Sequence, residues 1–163
     1  MNPSHLCPNK GLSIGLIARA ALLTVTIAML GSGYLRAQTV ATYNFEDNTA
    51  DGWGSFYGAS TPVATNAAAY AGSYSLLTTT ASAGHGGPSI SLNSVLLPGA
   101  QYTITGWVKL ASGATSANAN FTIARSDPSC SGGTCYDTIG SYEVAVTDTG
   151  WAEIGGSYTV STT

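Results

Sequence analysis

"LLPGAQYTITGWVKL", residues 96–110, opens on a Leu-Pro-Gly turn and then alternates. Tyr102, Ile104, Gly106 and Val108 share one face, and Thr103, Thr105, Trp107 and Lys109 share the other. A period of two belongs to a strand, because successive side chains leave a pleated backbone on opposite sides. The stretch therefore reads as a strand entered through a turn set by Pro98 and Gly99.

The pattern extends in both directions. Period-2 runs between turn signals predict strands near 39–46, 60–66, 73–80, 88–92, 101–110, 119–125, 136–147 and 151–160. Thr, Ser, Ala, Gly, Tyr and Val dominate after the first third of the 163 residues, while Lys, Glu, Leu and Arg are scarce. That is strand-and-turn chemistry. Short strands at this spacing predict an all-β sandwich or jelly roll in one domain. In "NFTIAR", Phe121, Ile123 and Arg125 align; in "CYDTIGSYEVAV", Tyr136, Thr138 and Gly140 align. A face that carries an aromatic beside Thr or Arg is either core or a wet binding surface, and alternation alone leaves both open.

Residues 1–37 read differently. Lys10 and Arg19 precede an uncharged run from Ala20 to Leu30, and "LRAQ" offers Ala37 for cleavage. About eleven apolar residues suit the core of an export signal and are too few to span a bilayer. Residues 1–37 are expected to be a signal peptide and 38–163 the secreted domain, with an uncleaved anchor as the alternative. Residues 38–163 hold two bases, Lys109 and Arg125, against eight acids, a net charge of −6. Such a surface has no footprint for a phosphate backbone, which excludes nucleic acid as a partner.

Cys130 and Cys135, in "SCSGGTC", flank a Gly-Gly turn. In an exported chain they are expected to bridge. Closing so short a loop stabilises by roughly 2 kcal/mol on the chain-entropy model. No histidine lies near them to complete a zinc site.

Catalytic signals are weak. "GLSIG", residues 11–15, has the spacing of a hydrolase elbow but lies in the leader. "GHGGPS", residues 84–89, has no elbow serine in 38–163 to serve. A glycosidase needs two carboxylates across one sugar bond, and most of the acids sit in turns. Glu143 and Glu153 are the two expected mid-strand.

An ordered set of segments carries a resemblance. "FEDNTADGWGSFYG" (45–58) ends a strand in Phe-Glu, turns, and reaches Gly-Trp. "AYAGSYSLLTTT" (69–80), "GGPSISL" (86–92), "LLPGAQYTITGWVKL", "FTIARSD" (121–127), "YDTI" (136–139) and "TDTGWAEIGGSYTV" (147–160) follow in order. Together they resemble the carbohydrate-binding modules of the CenC/xylanase type, families 4, 9 and 22. The resemblance implies a galactose-binding-like jelly roll that is not itself catalytic. Such a module binds a polysaccharide such as xylan or β-glucan and is joined to a glycoside hydrolase domain. It also implies a structural calcium; the turn acids Glu46 and Asp47 could contribute oxygen ligands to one, Glu46 being the candidate, and a monomer is expected. Two alternatives stand beside this reading: a fragment of a glycoside hydrolase, and an adhesive surface domain with no sugar site.

The sequence departs from that pattern in three places. Phe56 and Tyr57 stand where the xylan-binding branch carries an arginine, and His85 stands where it carries a tryptophan. A closing strand with an Asp-Asp pair is expected after Thr163, and its absence puts the calcium in question. The resemblance places the sugar contacts at Phe56, Tyr57 and His85. Antiparallel pairing across "SDPSCSGGTC" is expected to add Arg125, Tyr136 and Thr138. The competing arrangement buries Phe56 and Tyr136 and pairs Arg125 with Asp127.

Overall fold

The computed structural model describes residues 16–27, 38–80 and 86–162, with side chains from Thr39 onward. Ten strands and one short 3-10 turn make up the regular structure of these residues. They are β1 (Leu16–Ile27), β2 (Gln38–Thr39), β3 (Gly54–Phe56), β4 (Val63–Thr65), β5 (Ser75–Leu77), β6 (Gly87–Ser89), β7 (Gln101–Leu110), β8 (Ala117–Ser126), β9 (Thr134–Val146) and β10 (Ala152–Thr159). Every assigned strand pair is antiparallel. One sheet runs β10-β7-β1-β2; β3-β6, β4-β5 and β8-β9 form two-stranded pairs. The expected all-β class is observed, and no described helix is long and apolar enough to cross a membrane.

β7 follows its sequence pattern. Tyr102, Ile104, Gly106, Val108 and Leu110 are buried, and the residues between them face out. The buried face meets the inner face of the β8–β9 hairpin. Tyr102 and Ile104 cluster with Ile139 and Tyr158, with Phe121 and Ile123 packed against them. Val108 and Leu110 cluster with Val146 and Ile154. The Tyr102 hydroxyl accepts the Leu97 N–H at 2.8 Å, which satisfies both groups at the entry turn. Gly106 lies under the Phe121 ring, and a Cβ there would stand 2.8 Å from Cζ. The aromatic ring occupies the volume that glycine leaves.

The expected strand at 39–46 is reduced to β2. The reason is local. Asp47 accepts the Thr49 N–H at 2.9 Å, the Thr49 hydroxyl accepts the Asp51 N–H at 3.3 Å, and Asp51 accepts the Phe45 N–H at 3.1 Å. Short polar side chains take up amides that a ladder would use. Phe45, Asn48 and Asp51 adopt positive φ as a result. The turn buries Phe45 completely and sets Tyr43 edge-on to Trp53, with centroids 5.8 Å apart. Burial, and then the Asp51 charge, raise the Tyr43 pKa. The acids of this stretch build the turn, and its inner aromatics join the core.

Residues 16–27, within the segment read as a leader, run along β7 with Leu16 opposite Leu110 and Ile27 opposite Tyr102. The proposed cleavage position, Ala37, lies outside the described residues.

Candidate functional site

The β8–β9 hairpin sorts the candidate residues by face. Its register pairs Arg125 with Cys135, Ala124 with Tyr136, Ile123 with Asp137, Thr122 with Thr138 and Phe121 with Ile139. Directly paired residues share a face. Arg125, Ile123, Phe121, Asp137 and Ile139 therefore point toward the core side, and Tyr136, Thr138 and Thr122 point outward. The expected approach of Arg125 to Tyr136 is corrected here. They are one register step apart, which places them on opposite faces.

Arg125 is committed to that inner side. Its guanidinium pairs with Asp127, and its Nε donates to Asp137 at 2.8 Å. The Tyr158 hydroxyl donates to the same Asp137 oxygen at 3.1 Å. Asp127 also accepts the Ser129 hydroxyl at 2.7 Å and the Ser129 N–H at 2.8 Å. These Ser129 bonds, then Arg125, lower the Asp127 pKa to about 2. Burial, then the hydrogen bond to Asp137, raise that of Tyr158. The Cys130–Cys135 disulfide, Cα–Cα 5.4 Å, ties the turn that follows Asp127 to the start of β9. Asp127 also groups with the two cysteine sulfurs. Disulfide-bonded sulfur supplies no thiolate, so that group is not a metal site.

The outer side gathers rings. Tyr57 is 66% exposed, Tyr136 60% and Phe56 40%, which removes the arrangement that buries Phe56 and Tyr136. Phe56 lies 6.3 Å from Tyr57 and 6.5 Å from Tyr136, centroid to centroid. Tyr57 holds positive φ at the end of β3, turning its ring outward beside Phe56. Thr138 continues the Tyr136 face, beside Thr122. His85 lies outside the described residues; the next residue, Gly86, lies against Tyr57, and a Cβ on it would stand 2.7 Å from the Tyr57 carbonyl oxygen.

Farther along the hairpin lie further polar groups, among them Glu143, one of the two acids expected mid-strand. Thr122 donates to Asn120 at 3.2 Å, and Asn120 donates to the Tyr142 carbonyl. Asn118 donates to Glu143 at 2.8 Å, and Tyr142 is 72% exposed. The alternation Asn118, Asn120, Thr122 was a readable signal: a polar residue at every second position. The position of Tyr142 was not readable. A register break between Ala119 and Phe121 of β8 inserts extra β9 residues there.

Glu46 stands apart from this strip. Its carboxylate accepts the Ser73 N–H at 2.9 and 3.0 Å and the Tyr74 N–H at 2.9 Å. A Cβ on Gly72 would lie 2.4 Å from Oε1, so glycine makes the approach possible. Calcium requires six to eight oxygen ligands. Among the described residues Glu46 offers such a cage one candidate carboxylate, fixed in place by the Ser73 and Tyr74 N–H groups.

Chemically, the outer strip offers ring faces, hydroxyls and amides. Asp127, held low by its partners, is shifted in the wrong direction for a general acid at neutral pH.

Residues 37–163 match the family described as carbohydrate binding domain. The chain is 32% identical over 155 residues to endo-1,4-beta-xylanase C of Paenibacillus barcinonensis, a match covering 91% of this chain and 14% of that one. It is 34% identical over 123 residues to endo-1,4-beta-xylanase A of Thermoanaerobacterium saccharolyticum, covering 74% and 10%. The chain thus spans a small part of the curated relatives it matches. Among solved structures, the N-terminal CBM22-1-CBM22-2 tandem of Paenibacillus barcinonensis Xyn10C superposes with a TM-score of 0.67 at 31% identity, over 80% of this chain and 38% of that one. The CBM22-1 xylan-binding domain of the same protein superposes with a TM-score of 0.63 at 28% identity, over 88% and 79%.

Proposed function

The chain belongs to the carbohydrate binding domain family through residues 37–163, and on that premise we propose that it binds xylan-class polysaccharide along the Phe56–Tyr57–Tyr136 strip. The observation that carries this is the grouping of three exposed rings beside the Thr138–Thr122 row. A sugar ring has C–H faces that pack on aromatics and hydroxyls that need polar partners, and the strip supplies both. A strip of exposed rings such as this is expected to bind in the millimolar to micromolar range, roughly −4 to −8 kcal/mol. The relatives named as xylanases support a role beside a glycoside hydrolase domain in a longer protein.

Export is part of the same proposal. The basic start, the apolar run and Ala37 support it, as does a disulfide at Cys130–Cys135. Removing residues 1–37 would free the edge of β7 that β1 now covers.

Affinity electrophoresis in xylan and β-glucan gels tests the strip. The parent is expected to be retarded, and Tyr136→Ala and Tyr57→Ala to lose most of that retardation. A parent retarded by neither gel, or both variants retarded as strongly as the parent, overturns the assignment.

A further inference from the structure

The other face of the sandwich carries a separate aromatic group. β7 turns Thr103, Thr105, Trp107 and Lys109 outward, away from the β8–β9 hairpin. The β7–β10 register puts Glu153 opposite Trp107 and Ser157 opposite Thr103. Tyr70, from the segment between β4 and β5, lies flat on Trp107, with centroids 4.1 Å apart and planes 12° apart. Trp151 meets Tyr70 at 6.0 Å and 67°. With one ring face stacked on Trp107, Tyr70 is still 42% exposed.

We propose that Tyr70 and Trp151 form a second carbohydrate site, on the side of the sandwich opposite Tyr136, which takes a neutral polysaccharide chain. The proposal rests on the reading of this chain as a carbohydrate binder. Two rings at 67° make a corner, with half-buried Trp151 beside the more exposed Tyr70. The flat outer face of Tyr70 packs on the C–H face of a sugar. Glu153, Ser157 and Lys109, on the same outward face, offer acceptors and donors to its hydroxyls.

The corner is also held in place. Glu46 clamps the Ser73 and Tyr74 amides, and the Ser75 hydroxyl donates to the Ala68 carbonyl at 2.9 Å, so the chain is fixed on both sides of Tyr70. A ring fixed before binding loses little freedom on binding. Two sites on opposite faces would let one module bridge two polysaccharide chains.

The test uses the full chain, soluble xylan in native gels, xylan-coated beads and a xylo-oligosaccharide. Tyr136→Ala is expected to keep a residual retardation, and adding Tyr70→Leu to remove it. The leucine keeps an apolar cover on Trp107 but removes the planar ring. The parent is expected to clump the beads, and either single variant to fail to do so. On adding the oligosaccharide to Tyr136→Ala, the Trp151 indole N–H resonance shifts. That readout needs no substitution at the new site, so a Tyr70 variant that fails to fold does not end the test. A Trp151 signal that stays fixed, together with complete loss of retardation in Tyr136→Ala, overturns the second site and leaves the strip standing. Retardation that survives Tyr136→Ala and Tyr57→Ala but not Tyr70→Leu overturns the strip and supports the second site. A parent bound by none of these probes removes both.

Discussion

Arg125 and Tyr136 are one register step apart on the β8–β9 hairpin and face opposite sides of it. The arginine is spent on Asp127 and Asp137, and the tyrosine is open to solvent. Stability and binding should therefore separate. Arg125→Gln is expected to lower the melting temperature, because it leaves two carboxylates close together without their cation. Its retardation in xylan gels should match the parent's. Tyr136→Ala should do the reverse, with affinity down roughly tenfold, about 1.4 kcal/mol. Loss of binding in a fully folded Arg125→Gln would return the arginine to the sugar site.

Acid should expose the Asp127 contribution. Its folded pKa is lowered to about 2 from 3.8, chiefly by Ser129 and then by Arg125. A depressed folded pKa stabilises above the unfolded value and is lost as pH falls through the folded one. Thermal melts should therefore show this contribution intact at pH 5 and fading between about pH 4 and pH 2. Asp127→Asn should flatten that part of the curve. An unchanged acid limb in Asp127→Asn would contradict the assignment.

Glu46 should act as an amide clamp. Glu46→Ala removes the acceptor for the Ser73 and Tyr74 N–H groups and is expected to cost about 1–3 kcal/mol. The loss should be the same in EDTA as in millimolar calcium, measured by denaturant melts. A loss that appears only with calcium present would make Glu46 a metal ligand.

Gly155 should not tolerate a side chain. Its φ is +112°, and a Cβ there would stand 2.0 Å from the Ile104 carbonyl oxygen. Gly155→Ala is expected to destabilise by more than about 3 kcal/mol, since backbone must move. A variant melting within a degree or two of the parent would show that β10 can shift locally.

Charge should bias the choice of glycan. Residues 38–163 carry eight acids and two bases, and Arg125 is already neutralised. Neutral xylan should be held more tightly than glucuronate-substituted xylan at low salt. The difference should shrink as salt screens it. Equal retention at low salt would place the acids too far from the bound chain to matter.

The sequence by itself determined the all-β class, the two faces of β7 and the place of the long hairpin, because a period of two in burial is written directly into residue order. Phe121, Ile123 and Arg125 were grouped on one face for the same reason, and Tyr136 with Thr138 on another. Which of these faces met the core was decided by tertiary structure alone. It depended on the pairing of Ala124, not Arg125, with Tyr136, and on Asp137 and Tyr158 waiting for the guanidinium from different strands. The loss of the strand expected at 39–46 had a local cause, Asp47, Thr49 and Asp51 competing with a ladder for the same amides. Tyr70 on Trp107 joins residues 37 positions apart. Alternation reports the direction of a side chain from its own strand, and it carries no information about what another segment lays across it.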